Sequence, residues 1–108
     1  MRFFLRIALI IILVLAEFAC ASRSNLIEGI KSFRVQDYRQ AFVRLKPEAK
    51  KGQPDAQYAV GYMYYYGQGV TENRKKAWYW INKAAQQGQR DALAALAILQ
   101  QQPQNIFP

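Results

Sequence analysis

The hydrophobic pattern of this chain changes character once, near its start. Behind Arg2 and Arg6, Ile7 to Ala16 form an unbroken apolar run (IALIIILVLA), interrupted by Glu17 and followed by polar sequence from Ser22. Beyond that point apolar and small residues recur at helical spacing, punctuated by glycine and proline, and nothing alternates as a half-buried strand would. A first helix is predicted over Asn25 to Arg34. A second runs from Asp37 to about Lys51, with Gly52 placed to take a left-handed conformation past its end. Pro54 suits a first helical position, so a third helix opens near Asp55 and runs to about Tyr66, where Gly67-Gln68-Gly69 breaks it. Asn73 is the natural N-cap for a fourth, Arg74 to Gln87, ended by Gly88. Asp91 begins a fifth, to about Gln101 before Pro103. Pro47 falls inside the second helix and predicts a kink or a true helix end there.

The helices repeat. Ala41, Ala49, Gly52, Gln53, Asp55, Ala56 and Ala59 are matched 36 residues on by Ala77, Ala85, Gly88, Gln89, Asp91, Ala92 and Ala95, and size is kept at Phe42/Trp78, Leu45/Ile81 and Val60/Leu96. Alanine and glycine at fixed places set how closely helices approach. A period in this range signals stacked helical repeats.

Ala56, Tyr58, Gly61, Met63, Tyr64, Gly67, Gly69 and Val70, followed by Ala77, Trp80, Lys83, Ala84, Ala85, Gly88 and Ala92, fall in the order and spacing of a Sel-one-like repeat, a relative of the tetratricopeptide repeat. Val60 replaces the usual leucine, and Asn73 stands where aspartate is usual. The stretch from about Asp55 to Gln89 resembles one complete repeat, flanked by half-repeats at Tyr38 to Gly52 and Asp91 to Leu99. The resemblance implies an all-α fold, a short right-handed α-solenoid of antiparallel helix hairpins, used for protein–protein contacts. It also implies an exported bacterial setting, in which such repeats are common.

Composition narrows the chemistry. The 108 residues suffice for one small domain, and 52% are apolar. The net charge of +8 inclines a partner surface toward acidic character. No histidine is present and cysteine occurs once, which removes the commonest general base, the commonest metal ligand and any internal disulfide. Carboxylates are few, and Asp37, Asp55 and Asp91 sit at helix starts, where capping and dipole reasons account for them. The expectation is no enzyme, no cofactor and no metal. Basic residues are too dispersed for a nucleic-acid interface, the longest run being Arg74-Lys75-Lys76.

The first segment reads as an export signal over residues 1–21, since ten apolar residues fall short of the roughly 20 that a spanning helix needs. Ala19-Cys20-Ala21 fits cleavage before Ser22. Val14-Leu15-Ala16 also fits but lies within the apolar core. Cys20 is the candidate lipid attachment point, with Ala19 matching the lipoprotein pattern and Glu17 departing from it; membrane association is expected only through that lipid. The repeat domain then covers residues 22–102 and a tail 103–108 follows; the stretch after Leu99 is rich in glutamine, and Ile106 and Phe107 either fold back to cover the last helix or belong to a disordered end.

Most motif residues (Ala56, Gly61, Tyr64, Gly67, Gly69, Val70, Ala77, Trp80, Ala84, Ala85 and Gly88) read as structural. Tyr58, Tyr62 and Tyr65 are different: their spacings of four and three put them on one helix face, and at Tyr62 and Tyr65 the repeat pattern does not demand tyrosine. Ala94, Ile98 and Gln101 occupy the matching places one repeat on. The tyrosines either bind a partner on the concave surface or pack beneath the terminal segments, with Gln57 and Arg90 expected to add polar contacts nearby. The expected function is a non-catalytic scaffold or adaptor in the bacterial envelope or secreted space, holding a protein or peptide. The alternative is a regulatory or inhibitory subunit docked on an envelope enzyme or on cell-wall material.

Overall fold

The computed structural model describes residues 1–101, except for the side chains of residues 18–22. The Cys20 side chain and the tail 103–108 therefore lie outside the described residues. Five helices follow one another: α1 (Arg2–Arg34), α2 (Tyr38–Lys50), α3 (Pro54–Tyr66), α4 (Arg74–Gln86) and α5 (Arg90–Leu99). No strand occurs among the described residues. The fold is all-helical, a short solenoid of helix hairpins in which each helix packs on the next and α1 also reaches α3.

α1 is longer than the pattern of polar residues predicts. It continues upstream of Asn25 through the apolar run, because residues 2–28 contain neither glycine nor proline to stop it. Its C-terminal part packs: Leu26, Ile30 and Phe33 lie against the core, whereas Phe3 to Leu15 are exposed. Gly29 meets Leu45 of α2 so closely that an added Cβ would stand 2.5 Å from a leucine methyl.

Three helix ends, those of α1, α2 and α4, share one closure. At α2, Gly52 N–H donates to Ala49 O and Gln53 N–H to Glu48 O; at α4, Gly88 N–H donates to Ala85 O and Gln89 N–H to Ala84 O. This is the Schellman pattern, and it recurs at the two glycines of the repeat. At α1 the same two bonds form with Gln36 in the left-handed position, φ 64°. The starts differ more. Asn73 Oδ1 accepts from Lys76 N–H at 3.0 Å, as expected of an N-cap. Asp37 occupies the N-cap of α2 without a side-chain capping bond. α5 is capped by Gln89, whose Oε1 accepts from Ala92 N–H at 2.6 Å, so Asp91 lies inside the first turn. Pro47 sits within α2 and the helix continues through it. The carbonyl it deprives of a donor belongs to Val43, which is exposed to water.

Two apolar clusters build the core. The larger joins α2, α3 and α4 through Ala41, Leu45, Ala49, Ala56, Ala59, Val60, Met63, Tyr64, Ala77 and Trp80, with Val70 packed against it. The smaller, Ile81, Ala84, Ala85, Ala92 and Leu99, joins α4 to α5, with Leu96 beside it. Gly61 lets α3 and α4 touch: a Cβ there would stand 2.6 Å from Ile81 Cγ1 and 3.2 Å from the Ala77 carbonyl oxygen. Glu48 is fully buried and accepts a hydrogen bond from Lys51 Nζ at 3.2 Å.

Candidate functional site

α3 carries tyrosine at four positions that point toward α5. Tyr58, Tyr62, Tyr65 and Tyr66 face Asp91, Ala94, Ala95, Ile98 and Leu99 across a groove of about 300 Å³, with Ile81 of α4 as its floor. One antiparallel helix separates α3 from α5, so they run in the same direction. Repeat-mates therefore stand opposite one another: Tyr58 across from Ala94 and Tyr62 across from Ile98. One wall is made of rings and the other mixes alanine with larger aliphatic side chains.

The rings form a connected row. Centroids lie 6.4 Å apart between Tyr58 and Tyr62 and 4.8 Å between Tyr62 and Tyr66. Tyr65 meets Tyr66 edge-on at 4.8 Å. Phe33 of α1 closes the side of Tyr62 at 5.3 Å, also edge-on. Tyr65 is partly buried against both core clusters, and the Arg74 guanidinium stacks 3.7 Å from its ring centre while donating through Nε to Glu72 Oε1 at 3.0 Å. Burial pushes the Tyr58 phenol above its ordinary value, and the nearby Asp91 carboxylate pushes it further, with smaller contributions from Tyr62 and Tyr66.

The structure brings Tyr58, Tyr62 and Tyr65 together in one wall. It separates Gln57 and Arg90 from them. Gln57 is 3% exposed, donates through Nε2 to Ala49 O at 3.1 Å and accepts from Gln87 Nε2 at 2.7 Å. One residue before Tyr58 is about 100° around the helix, which turns Gln57 into the seam between α2 and α4. It ties three helices together, and the expectation of a partner contact there is corrected. Arg90 is exposed at the start of α5 but does not line the groove. Tyr66 and Asp91, by contrast, line it without having been singled out. Tyr66 extends the four-residue spacing of Tyr58 and Tyr62, a signal present in the sequence. Asp91 was accounted for by its helix-start position, and its second role depends on which way α5 faces.

The basic residues largely gather elsewhere. Lys46 of α2 donates to the Tyr64 hydroxyl at 2.8 Å and stands over the rings of Phe42, Tyr64 and Trp80 at 5.4, 4.9 and 5.2 Å. Lys76 lies over Tyr64, and Lys83 over Tyr79 and Trp80. These cations occupy the α2–α4 side of the stack. The groove lining holds no lysine or arginine and one carboxylate.

Residues 54–89 match the Sel1 repeat, the span that contains α3, the two-glycine loop and α4. Sel1 repeats generally mediate protein–protein interaction, and the groove is a concave surface of the kind such contacts use. Among curated proteins, the chain is 40% identical over 50 residues to the chitin synthase regulator SKT5 of Saccharomyces cerevisiae. The aligned stretch covers 46% of this chain and 7% of that protein. No solved structure matches the chain.

Proposed function

We propose that this chain is a non-catalytic interaction module that holds a segment of another protein in the tyrosine groove between α3 and α5. One observation carries the reading: four tyrosines stand along one wall of an open groove, and Tyr66 is more than half exposed. Tyrosine supplies contact area and a hydrogen-bonding tip at small entropic cost, which suits a preformed recognition surface. Panning a displayed peptide library against residues 22–108 tests it. Sequences that bind the native groove and are lost from a Tyr62→Ser, Tyr66→Ser variant of unchanged helical content support the reading. Failure to enrich any peptide, or enrichment indifferent to those substitutions, overturns it.

The setting we propose is the bacterial envelope or secreted space. Residues 1–21 act as an export signal that is removed before Ser22, the repeat domain spans 22–102, and the tail 103–108 follows. Among the described residues no helix is long and apolar enough to cross a membrane, and Phe3 to Leu15 of α1 are exposed. N-terminal sequencing of the chain recovered from an envelope fraction is expected to begin at Ser22; an intact Met1 refutes removal. Lipid attachment at Cys20 is the competing outcome, read as membrane fractionation that Cys20→Ser abolishes. A regulatory or inhibitory subunit is the second functional reading, favoured by the regulator title of the yeast relative.

A further inference from the structure

Cations stand over the rings on the α2–α4 side of the stack and over Tyr65 at the edge of the groove, but not over the other groove tyrosines. Lys46 serves Phe42, Tyr64 and Trp80; Lys83 serves Tyr79; Arg74 serves Tyr65. Among the described residues no cation stands over Tyr58, Tyr62 or Tyr66, although the chain has fifteen lysines and arginines. The faces of these rings carry negative potential, and a positive group within about 6 Å of a ring centre is attracted to it. At the same rim stands Asp91, exposed, and among the described residues it forms no hydrogen bond or ion pair. Its position in the first turn of α5 accounts for an acidic residue there. That position does not account for its standing beside a row of rings over which no cation lies.

From this juxtaposition we infer that the groove selects a peptide segment by a lysine or arginine side chain, whose charged head sits between Asp91 and the rings of Tyr58 and Tyr62, with apolar neighbours lying along Ala94, Ile98 and Tyr66. The inference rests on the peptide-binding reading above and names the partner's chemistry. Charge complementarity carries it. The lining offers one carboxylate and no competing base, and the Arg74 charge beside Tyr65 is answered by Glu72. The aliphatic stem of a basic side chain also suits the apolar wall, which a compact hydrophilic cation would leave uncovered. The raised Tyr58 phenol agrees with a local negative potential, since Asp91 is one of its causes. The recognised charge is therefore opposite to the one that the chain's overall balance invites. The groove is a local acidic-aromatic site on a basic molecule.

The experiment uses residues 22–108 and four blocked pentapeptides, acetyl-Ala-Leu-X-Leu-Ala-amide, in which X is arginine, lysine, citrulline or glutamate. Binding is followed by NMR shifts of the α3 and α5 amides. Citrulline keeps the shape of arginine and removes its charge. Arginine and lysine are expected to bind about tenfold or more tightly than citrulline, the size of a cation–aromatic contact reinforced by a carboxylate. Glutamate is expected to bind most weakly. Asp91→Asn should narrow the arginine–citrulline difference to the few-fold preference that the ring contact alone supplies, while leaving helical content unchanged. Citrulline or glutamate binding the groove as well as arginine overturns the charge inference and leaves the peptide-binding reading standing. No shift with any peptide overturns the inference, and a failed library selection then removes the reading beneath it. Shifts with tetramethylammonium but none with the arginine peptide assign the site to quaternary ammonium groups and overturn it as well.

Discussion

Gly69 and Gly88 both sit in the left-handed region, with φ of +73° and +83°, yet replacing each with alanine should have very different consequences. At Gly88 an added Cβ meets nothing within 4 Å, so the cost is conformational, about 1–2 kcal/mol for an L-residue held at that dihedral. At Gly69 the same conformational cost applies, and the Cβ would also stand 2.6 Å from Tyr38 C, 2.7 Å from Tyr38 O and 2.8 Å from Arg39 N. All three are main-chain atoms at the start of α2, and no side chain can rotate away to relieve them. The loop between α3 and α4 must lift from α2, and overpacking of this kind adds about 1–3 kcal/mol. Gly69→Ala should therefore lose about 2–5 kcal/mol against about 1–2 for Gly88→Ala. Urea unfolding of residues 22–108, followed by helical circular dichroism, measures both. With a slope near 1 kcal/mol per molar urea for so small a domain, the midpoints should differ by about 1–3 M. A Gly69 variant within about 0.5 kcal/mol of the Gly88 variant would show that the loop does not press on α2, and the hairpin contact described for this motif glycine would be wrong.

Other substitutions probe separate joints. Leu45→Ala empties a fully buried position between α1, α2 and α3 and should cost about 2–5 kcal/mol in the same unfolding assay. Asn73→Ala removes the capping bond to Lys76 N–H and should cost about 1 kcal/mol, with Asn73→Asp retaining most of the stability. Because burial and Asp91 raise the Tyr58 phenol in the folded chain, the unfolded chain gives up that proton first as the solution becomes alkaline. The associated stability is complete below about pH 10 and declines as pH rises through the folded value. Ultraviolet titration should show the Tyr58 phenol ionising above its ordinary range, and Tyr58→Phe should remove that contribution and flatten the alkaline loss.

The helix pattern was legible because each boundary has a local cause. Glycine at 52 and 88, Pro54 and Asn73 all act within a turn of the chain, and the structure places the ends of α2, α3 and α4 within a residue or two of where these signals put them. The end of α1 was also found, although Gln36 takes a conformation that glycine usually supplies. Its beginning was not, since helix formation upstream of Asn25 is limited only by breakers and none is present. The tyrosine wall was readable from spacing alone. Gln57 was misplaced because a helix face one residue wide of the tyrosines already belongs to the seam, and sequence spacing does not reveal that α2 and α4 both end beside it. Lys46 was invisible for a related reason. Its three rings come from α2, α3 and α4, and only tertiary packing gathers them.

Net charge and groove charge act over different distances, and the difference explains how a strongly basic chain can present a site for a basic ligand. At physiological ionic strength the field of exposed charges decays over about 8 Å, so the positive balance of the whole molecule governs approach and has little effect inside the groove. Lys46 and Lys83 spend their short-range influence on the rings beneath them, on the side away from α5. Within the groove a bound cation meets the Asp91 carboxylate and uncovered π faces first, at lower local dielectric than in bulk water. Salt should therefore act in two opposed ways, speeding encounter by screening the overall repulsion and loosening the bound pair by screening Asp91. A partner that leaned acidic would show the reverse at encounter. The overall charge is thus a statement about how the molecule is approached, and the recognised chemistry is decided by the few side chains that α3 and α5 hold face to face.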